Sequence, residues 1–324
     1  MKRKIIGIGE TIMDIIFQGE QPTAAVPGGS VFNGVVSLAR LGLPVTMLSE
    51  TGNDRVGRNI LDFMTANGID NSHVAVYQNG RSAISLAFLN ERNDAEYMFY
   101  KDYPAARFEV DWPEIHADDV VMMGSYFVLN AALRPRVREF LQYARQRGAL
   151  IYYDLNFRSS HRHEVDNIFD DMVENLDFAD IVRGSTEDLE NLFGQADAET
   201  VYHKHVAPHC QLMLSTDAGG DVCVLTPDSH LSFPVQKVKT VSTIGAGDNF
   251  NAGIIYGLIQ GDIRRDDLPK MDRQQWATVV QHGIALATEV CQTLHNSISK
   301  EWAAQYKNNH GFHGTNGLVF STTN

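Results

Sequence analysis

Gly245-Ala246-Gly247-Asp248 joins two chemical functions in four residues. The run lies between an extended segment, Val235 to Val241, and a helical pattern with Phe250, Ile254, Ile255 and Leu258 on one face. Its small residues let backbone N–H groups come close to a ligand. A helix start leaves several of those groups unpaired at the positive end of a dipole, so an anion fits there. Asp248 stands in the first turn, where a carboxylate also favours the dipole. Beside a bound phosphate, that carboxylate can take the proton of an attacking hydroxyl. Phosphoryl transfer needs this pairing of anion cradle and base. The plainer account is a tight strand-to-helix turn with an N-terminal acid.

A second small-residue turn, Pro27-Gly28-Gly29-Ser30-Val31-Phe32-Asn33, leads into a helix with Val35, Val36, Leu38, Ala39 and Leu41 that stops near Gly42. Paired glycines ahead of a helix are compatible with close approach of a polar ligand, or with a simple turn. Two other nucleotide motifs are absent. Gly7 and Gly9 lack the third glycine of a dinucleotide fingerprint, its place being taken by Ile12, and no GxxxxGK followed by Ser or Thr occurs. A nicotinamide oxidoreductase and a P-loop kinase both fail on their own motifs.

The elements that must position these turns alternate. Lys4 to Ile8 reads as a buried strand, continued by Glu10 to Phe17. Asp54 to Ala66 is a helix with Val56, Ile60, Leu61 and Met64 on one face. Ser82 to Leu89 and Glu96 to Lys101 read as a hairpin around the turn-rich Asn90 to Ala95. From Asp119 the chain gives Val120–Met123 (strand), Arg134–Arg147 (helix) and Ala149–Tyr153 (strand). Glu164–Asn175 (helix), Ile181-Val182 (strand), Thr186–Phe193 (helix) and Gln211–Leu214 (strand) come next, and the last long helix is Gln274–Thr293. Such repetition predicts a parallel sheet covered by helices on both faces, with ligands beyond the carboxyl ends of its strands. Asp154-Leu155-Asn156-Phe157-Arg158 directly succeeds one strand. Alternation sends Asp154, Asn156 and Arg158 the same way if the extension persists.

Bulk properties narrow the partners. Of 324 residues, 44% are hydrophobic and 21% charged, as in an ordinary globular enzyme. The net charge of −13 argues against nucleic acid and against an anionic membrane surface. Cys210, Cys223 and Cys291 show no CxxC spacing and an odd count, so neither a zinc site nor a disulfide framework is expected. The apolar run after Met1-Lys2-Arg3-Lys4 breaks too soon for a signal peptide or a membrane span, which makes the cytoplasm the expected compartment.

Gly245 to Asp248 with Phe250-Asn251-Ala252-Gly253 resembles the C-terminal signature of the ribokinase-like sugar and nucleoside kinases. Gly28-Gly29, Asn33, Leu41-Gly42 and Gly52-Asn53-Asp54 resemble the N-terminal one. The resemblance covers roughly Lys4 to Leu294. It implies a single α/β domain over 1–324, a central mostly parallel sheet flanked by helices, and a small β-sheet lid. The lid is drawn from about 10–26 and 80–101, closes over the sugar and often pairs two subunits; the alternative puts those strands in the central sheet. Residues 295–324 become a C-terminal extension, whose His310 and His313 suggest disorder rather than a metal site.

The resemblance also implies roles. Gly245, Ala246 and Gly247 form the anion hole and Asp248 is the base. Asp14, Gly28, Gly29 and Asn33 bind sugar hydroxyls, which suits a carboxylate and an amide. Asp154 to Arg158 is similar to a run in fructokinases and 2-keto-3-deoxygluconate kinases, where Asn156 and Arg158 would reach sugar and phosphate. Thr216, Asp217, Ala218 and Gly220 occupy the turn that contacts ATP phosphates and ribose, and His282 stands where an asparagine lies beside adenine, unless it is an exposed helical residue. Ser185 begins the segment that organises Mg²⁺ through water, with Glu187 or Asp188 as the acid; the same residues also read as a capping box. Ser242 replaces an acid that helps hold a monovalent cation, which argues against one here. The expected activity is ATP-dependent phosphorylation of a primary hydroxyl, first of fructose, alternatively of 2-keto-3-deoxygluconate, ribose or a nucleoside. A sugar- or nucleotide-binding regulator without turnover is the rival class, motivated by Ser242, Ser185 and Ala218 and opposed by Asp248.

Overall fold

The computed structural model describes residues 3–89, 95–105 and 107–310. Most of the turn expected around 90–95, and the tail with His313, lie outside the described residues. The chain begins β1 (Ile5–Ile8), β2 (Ile12–Gln18), β3 (Gln21–Gly28), α1 (Ser30–Arg40), β4 (Val45–Gly52) and α2 (Arg55–Ala66). Four strands come next: β5 (Ile69–Asp70), β6 (Val74–Tyr77), β7 (Arg81–Leu89) and β8 (Ala95–Asp102). Then come β9 (Val120–Gly124), α3 (Arg134–Gln146), β10 (Leu150–Asp154), α4 (Val165–Phe178), β11 (Ile181–Ser185), α5 (Thr186–Phe193) and α6 (Ala198–Val201). The chain continues with β12 (Met213–Thr216), β13 (Val222–Thr226), β14 (Ser229–Phe233), α7 (Ala246–Gln260), α8 (Arg273–Cys291) and α9 (Lys300–His310).

The main sheet runs β14-β13-β12-β11-β10-β9-β1-β4-β5, with β6 on β4. It is parallel except where β13 pairs antiparallel with β12 and β14. Successive residues of a strand face opposite ways, so each strand feeds two cores. Ile5, Met122, Tyr152 and Ile181 pack with α1, α7 and α8. Ile6, Met123, Tyr153 and Val182 pack with α3, α4 and α5. A strand buried on both faces shows no alternation. β1, β9 and β10 still read as short apolar runs, whereas the equally buried β4 carries Thr46, Ser49, Glu50 and Thr51 and shows neither signal.

Strands β3-β2-β7-β8 form a separate four-stranded sheet, so the two hairpin strands do not join the main one. Three local expectations change. The segment 235–241 forms no strand: β14 ends at Phe233, Pro234 supplies no N–H, and Val241 N and Ser242 N donate to the Cys291 carbonyl. The helix expected from Glu164 begins one residue later, after a 3₁₀ turn over Ser159–Glu164. Residues beyond 294 are not all peripheral, because Ile298, Ala303 and Tyr306 belong to the core. No helix among the described residues is long and apolar enough to cross a membrane.

Candidate active site

Parallel strands bring their candidate residues to one edge. β10 ends at Asp154, β11 at Ser185 and β12 at Thr216, with Ser185 opposite Thr216 and Asp154 opposite Arg183. Over this edge lies the start of α7. Its N-cap Gly245 has φ 78°, and a Cβ there would stand 2.7 Å from the Asn296 carbonyl oxygen, so only glycine fits. Ala246 N donates to Thr243 O and Asn249 N to Gly245 O. The amides of Gly247 and Asp248 are left without an acceptor among the described residues, as first-turn geometry requires.

Asp248 is buried at the head of this helix. Its Oδ2 accepts from Asn33 Nδ2 at 2.9 Å, and its Oδ1 from Ser30 Oγ at 3.0 Å and from Asn156 Nδ2 at 3.4 Å. Burial pushes its pKa up to about 6, with the Asp154 charge adding to the rise, while Asn33, Arg158 and Ser30 oppose it. A carboxylate so placed ionises near neutral pH and keeps appreciable basicity.

Asp14, on β2, faces the same space. Ser85 Oγ from the adjacent β7 donates to it, and a Cβ on Gly28 would fall 2.2 Å from its Oδ2. Burial pushes Asp14 to about 6 as well, helped by the charges of Asp248 and Glu10. Gly29, at φ 130°, caps α1 where a Cβ would strike the Glu10 carbonyl at 2.2 Å. The structure thus brings Asp14, Gly28, Gly29, Asn33, Asn156 and the α7 start together.

The run from Asp154 to Arg158 does not point one way. The extension breaks at Asn156, whose φ is 35°. Asp154 stays beneath the edge, bonded to Arg183 Nη1 at 3.0 Å and Asn251 Nδ2 at 2.7 Å. Asn156 turns toward Ser30 and Asp248, and Arg158 is exposed. Arg183 is the main residue that motif reasoning missed. Its guanidinium is buried, donates to Thr216 Oγ1 at 2.5 Å, and lies where a Cβ on Gly247 would approach to 3.2 Å. A fixed positive charge therefore backs the cradle. Burial opposes that charge, and Asp154 and Asp188 more than restore it. The available signal was a lone arginine inside an otherwise apolar strand, Ile181-Val182-Arg183.

Ser185 and Asp188 form the capping box of α5. Asp188 Oδ2 accepts from Ser185 N and Oγ at 2.7 and 2.6 Å, and its Oδ1 from Phe157 N at 2.7 Å. Its oxygens are therefore engaged, whereas Glu187 is exposed. No group of three His, Cys, Asp or Glu side chains that could hold a metal occurs among the described residues. Asp217 and Ala218 are exposed in the turn after β12, closed by Gly220 N donating to Asp217 O at 3.0 Å. His282 is not an exposed helical residue: it is buried, its Nδ1 lies 2.7 Å from the Tyr306 hydroxyl, and Tyr256 and His310 flank it. Burial pushes its imidazole down to about 4, which leaves it neutral at pH 7. Ser242 is buried too, its Oγ accepting from Ile244 N at 3.2 Å.

The chain is similar to Fructokinase-1 of Oryza sativa subsp. japonica, with 26% identity over 286 residues covering 83% of this chain and 87% of the relative. It is similar to the 5-dehydro-2-deoxygluconokinase of Geobacillus thermodenitrificans (strain NG80-2), with 27% identity over 248 residues and 72% of each chain covered. The fold is similar to that of the Vibrio cholerae O395 fructokinase double mutant in its fructose, ADP and potassium ion bound form. The TM-score is 0.80, with 20% identity, and 94% and 98% of the two chains are covered. It is also similar to that of aminoimidazole riboside kinase from Salmonella enterica complexed with aminoimidazole riboside and an ATP analog, at TM-score 0.79, 20% identity, and 94% and 99% coverage. The large mostly parallel sheet with its separate small sheet is thus the ribokinase-like architecture. Residues 2–303 match the family described as pfkB family carbohydrate kinase, and the chain belongs to that family of sugar phosphotransferases.

Proposed function

We propose that this protein transfers the γ-phosphate of ATP to a primary hydroxyl of fructose. The observation that carries the reading is Asp248 itself: a buried carboxylate between hydroxyl-binding partners and two free first-turn amides. Asp14, Asn33 and the backbone at Gly28 and Gly29 hold the sugar. Asp248 takes the proton of the attacking hydroxyl at its carboxylate. The amides of Gly247 and Asp248 receive the charge that develops on the transferred group, with Arg183 behind them. Thr216 to Gly220 is the turn that meets the nucleotide. Fructokinases among the relatives support the choice of sugar.

The free amides and the buried guanidinium fit a phosphate. The acids fit Mg²⁺ less directly: Asp188 is engaged in its cap, so Glu187 would hold the ion through water. Bound Mg²⁺ supplies positive charge to the phosphate oxygens. The small sheet closes over the sugar, and its exposed Met98 and Tyr100 offer a surface for a second copy.

The test is an ADP-release screen over hexoses, pentoses, keto-deoxy acids and nucleosides. Fructose should give the highest kcat/KM. A nucleoside or ribose at the top would replace the sugar in this reading, and no turnover on any of them would overturn it.

A further inference from the structure

One charged pair spans the pocket from the main body to the small sheet. Lys101 Nζ on β8 lies 2.7 Å from Glu10 Oε1, just past the end of β1. Cross-strand register places Asp14 beside Ser85, and Ser85 beside Phe99. Directly paired residues share a face, and a residue two further along the same strand shares it again. Lys101 therefore projects on the face that carries Asp14. The irregularity between Arg81 and Ile84 puts its extra residue on β7, so the alternation of β8 is kept. Glu10 is anchored from the other side, its carbonyl against Gly29. Both side chains remain partly open to solvent, at 36% and 27% exposure, so an incoming ligand can meet them.

We propose that the Glu10–Lys101 pair is a charge filter, which admits a neutral polyhydroxy sugar and turns away a sugar acid. The inference rests on the sugar-kinase reading and adds the charge class of the substrate and the residues that set it. Two carboxylates, Asp14 and Glu10, stand on this side of the pocket against Lys101, because the neighbouring Arg107 is committed to the buried Glu50. The lysine is already committed to Glu10. A carboxylate entering here meets net negative charge, while a hydroxyl meets only acceptors and donors it can satisfy. Arg158 does not rescue the acid: its charge acts on Asp248 and is not among those that shift Asp14, and its side chain is exposed. Repulsion of the wrong ligand is a common route to specificity. Without Glu10 the same lysine becomes a receptor for a carboxylate.

The experiment measures kcat and KM for fructose, ribose and 2-keto-3-deoxygluconate with the full chain, near neutral pH, and tracks sugar binding by calorimetry. Glu10→Gln should raise the acid-to-neutral ratio of kcat/KM by about tenfold, through KM rather than kcat, because one like charge is removed. Adding Lys101→Met to that variant should lower the ratio again. Lys101→Glu alone should lower it below that of the unmodified protein, which keeps the test open if Glu10→Gln fails to fold. Preference of the unmodified protein for the acid would overturn the filter, as would a ratio that stays within about twofold in all variants. If ribose outruns fructose while the acid is still rejected and Glu10→Gln still admits it, the choice of fructose fails and the filter stands. If fructose is best and the ratio does not move, the filter alone fails. Binding of none of the three sugars would sink both.

Discussion

The side-chain amide of Asn33 donates to Oδ2 of Asp248 over 2.9 Å, although 215 positions separate them in sequence. The contact depends on how closely α1 meets α7. Gly34 is the next residue after Asn33, and a Cβ there would come within 2.9 Å of the Asp248 carbonyl oxygen. The packing of two helices and the joining of the Gly29 turn to the Gly245 turn are thus one event.

Asp248→Asn separates chemistry from stability. Turnover should fall by about 10²–10⁴-fold while nucleotide binding persists, because only the base is lost. The fold should become more stable, since the charge that burial disfavours is gone. Kinetics, nucleotide calorimetry and a thermal melt decide it; near-normal turnover would remove Asp248 as the base.

Acid should switch the enzyme off around pH 6. Asp248 must be ionised to accept a proton, so kcat/KM should fall about tenfold per pH unit below that point. Stability should run the other way. Asp14 and Asp248 carry folded-state pKa values raised from 3.8 to about 6, so their stabilising share is full below 3.8 and lost as pH rises through about 6. A pH–rate profile flat down to pH 4.5 would contradict the assignment.

Asp14→Ala and Asn33→Ala should each weaken sugar binding by roughly 1–3 kcal/mol, the cost of a lost buried partner, and leave the nucleotide largely unaffected. Titrating each ligand alone separates the two sites. Equal damage to both would mean that these residues hold the fold rather than the sugar.

The two glycine-rich turns were readable because close backbone approach restricts residue type, and Gly245 and Gly29 carry that restriction in their backbone angles. The small sheet was readable from the resemblance. Arg183 was not, because its role depends on Asp154 and Thr216 arriving on neighbouring strands, and sequence spacing carries no cross-strand register. Asn156 misled simple alternation, since one positive φ ends the extended geometry on which alternation depends. His282 hid for another reason: the tyrosine that covers it comes from α9, beyond the motifs.

Potassium should have little effect. Ser242 offers a neutral hydroxyl already accepting from Ile244 N, and hard cations need charged or carbonyl oxygens. Activity titrated with KCl against choline chloride should change little, and Ser242→Asp should gain partial dependence. A large, saturable, K⁺-selective rise in the unmodified protein would refute this.

The cradle leans on the last part of the chain. Asn296 O accepts from Asn249 Nδ2 at 2.8 Å and lies against Gly245, while Ile298 N donates to Ser37 Oγ, which in turn donates to Asn249 Oδ1. A ribosome makes these residues well after Phe233, where the last described strand ends. Every described strand of both sheets can emerge and pair before the segment that braces the Gly245 turn has left the exit tunnel. Translation that stops early therefore yields a protein with its sheets in place and its cradle unbraced. The brace arrives with Asn296 and Ile298, ahead of α9.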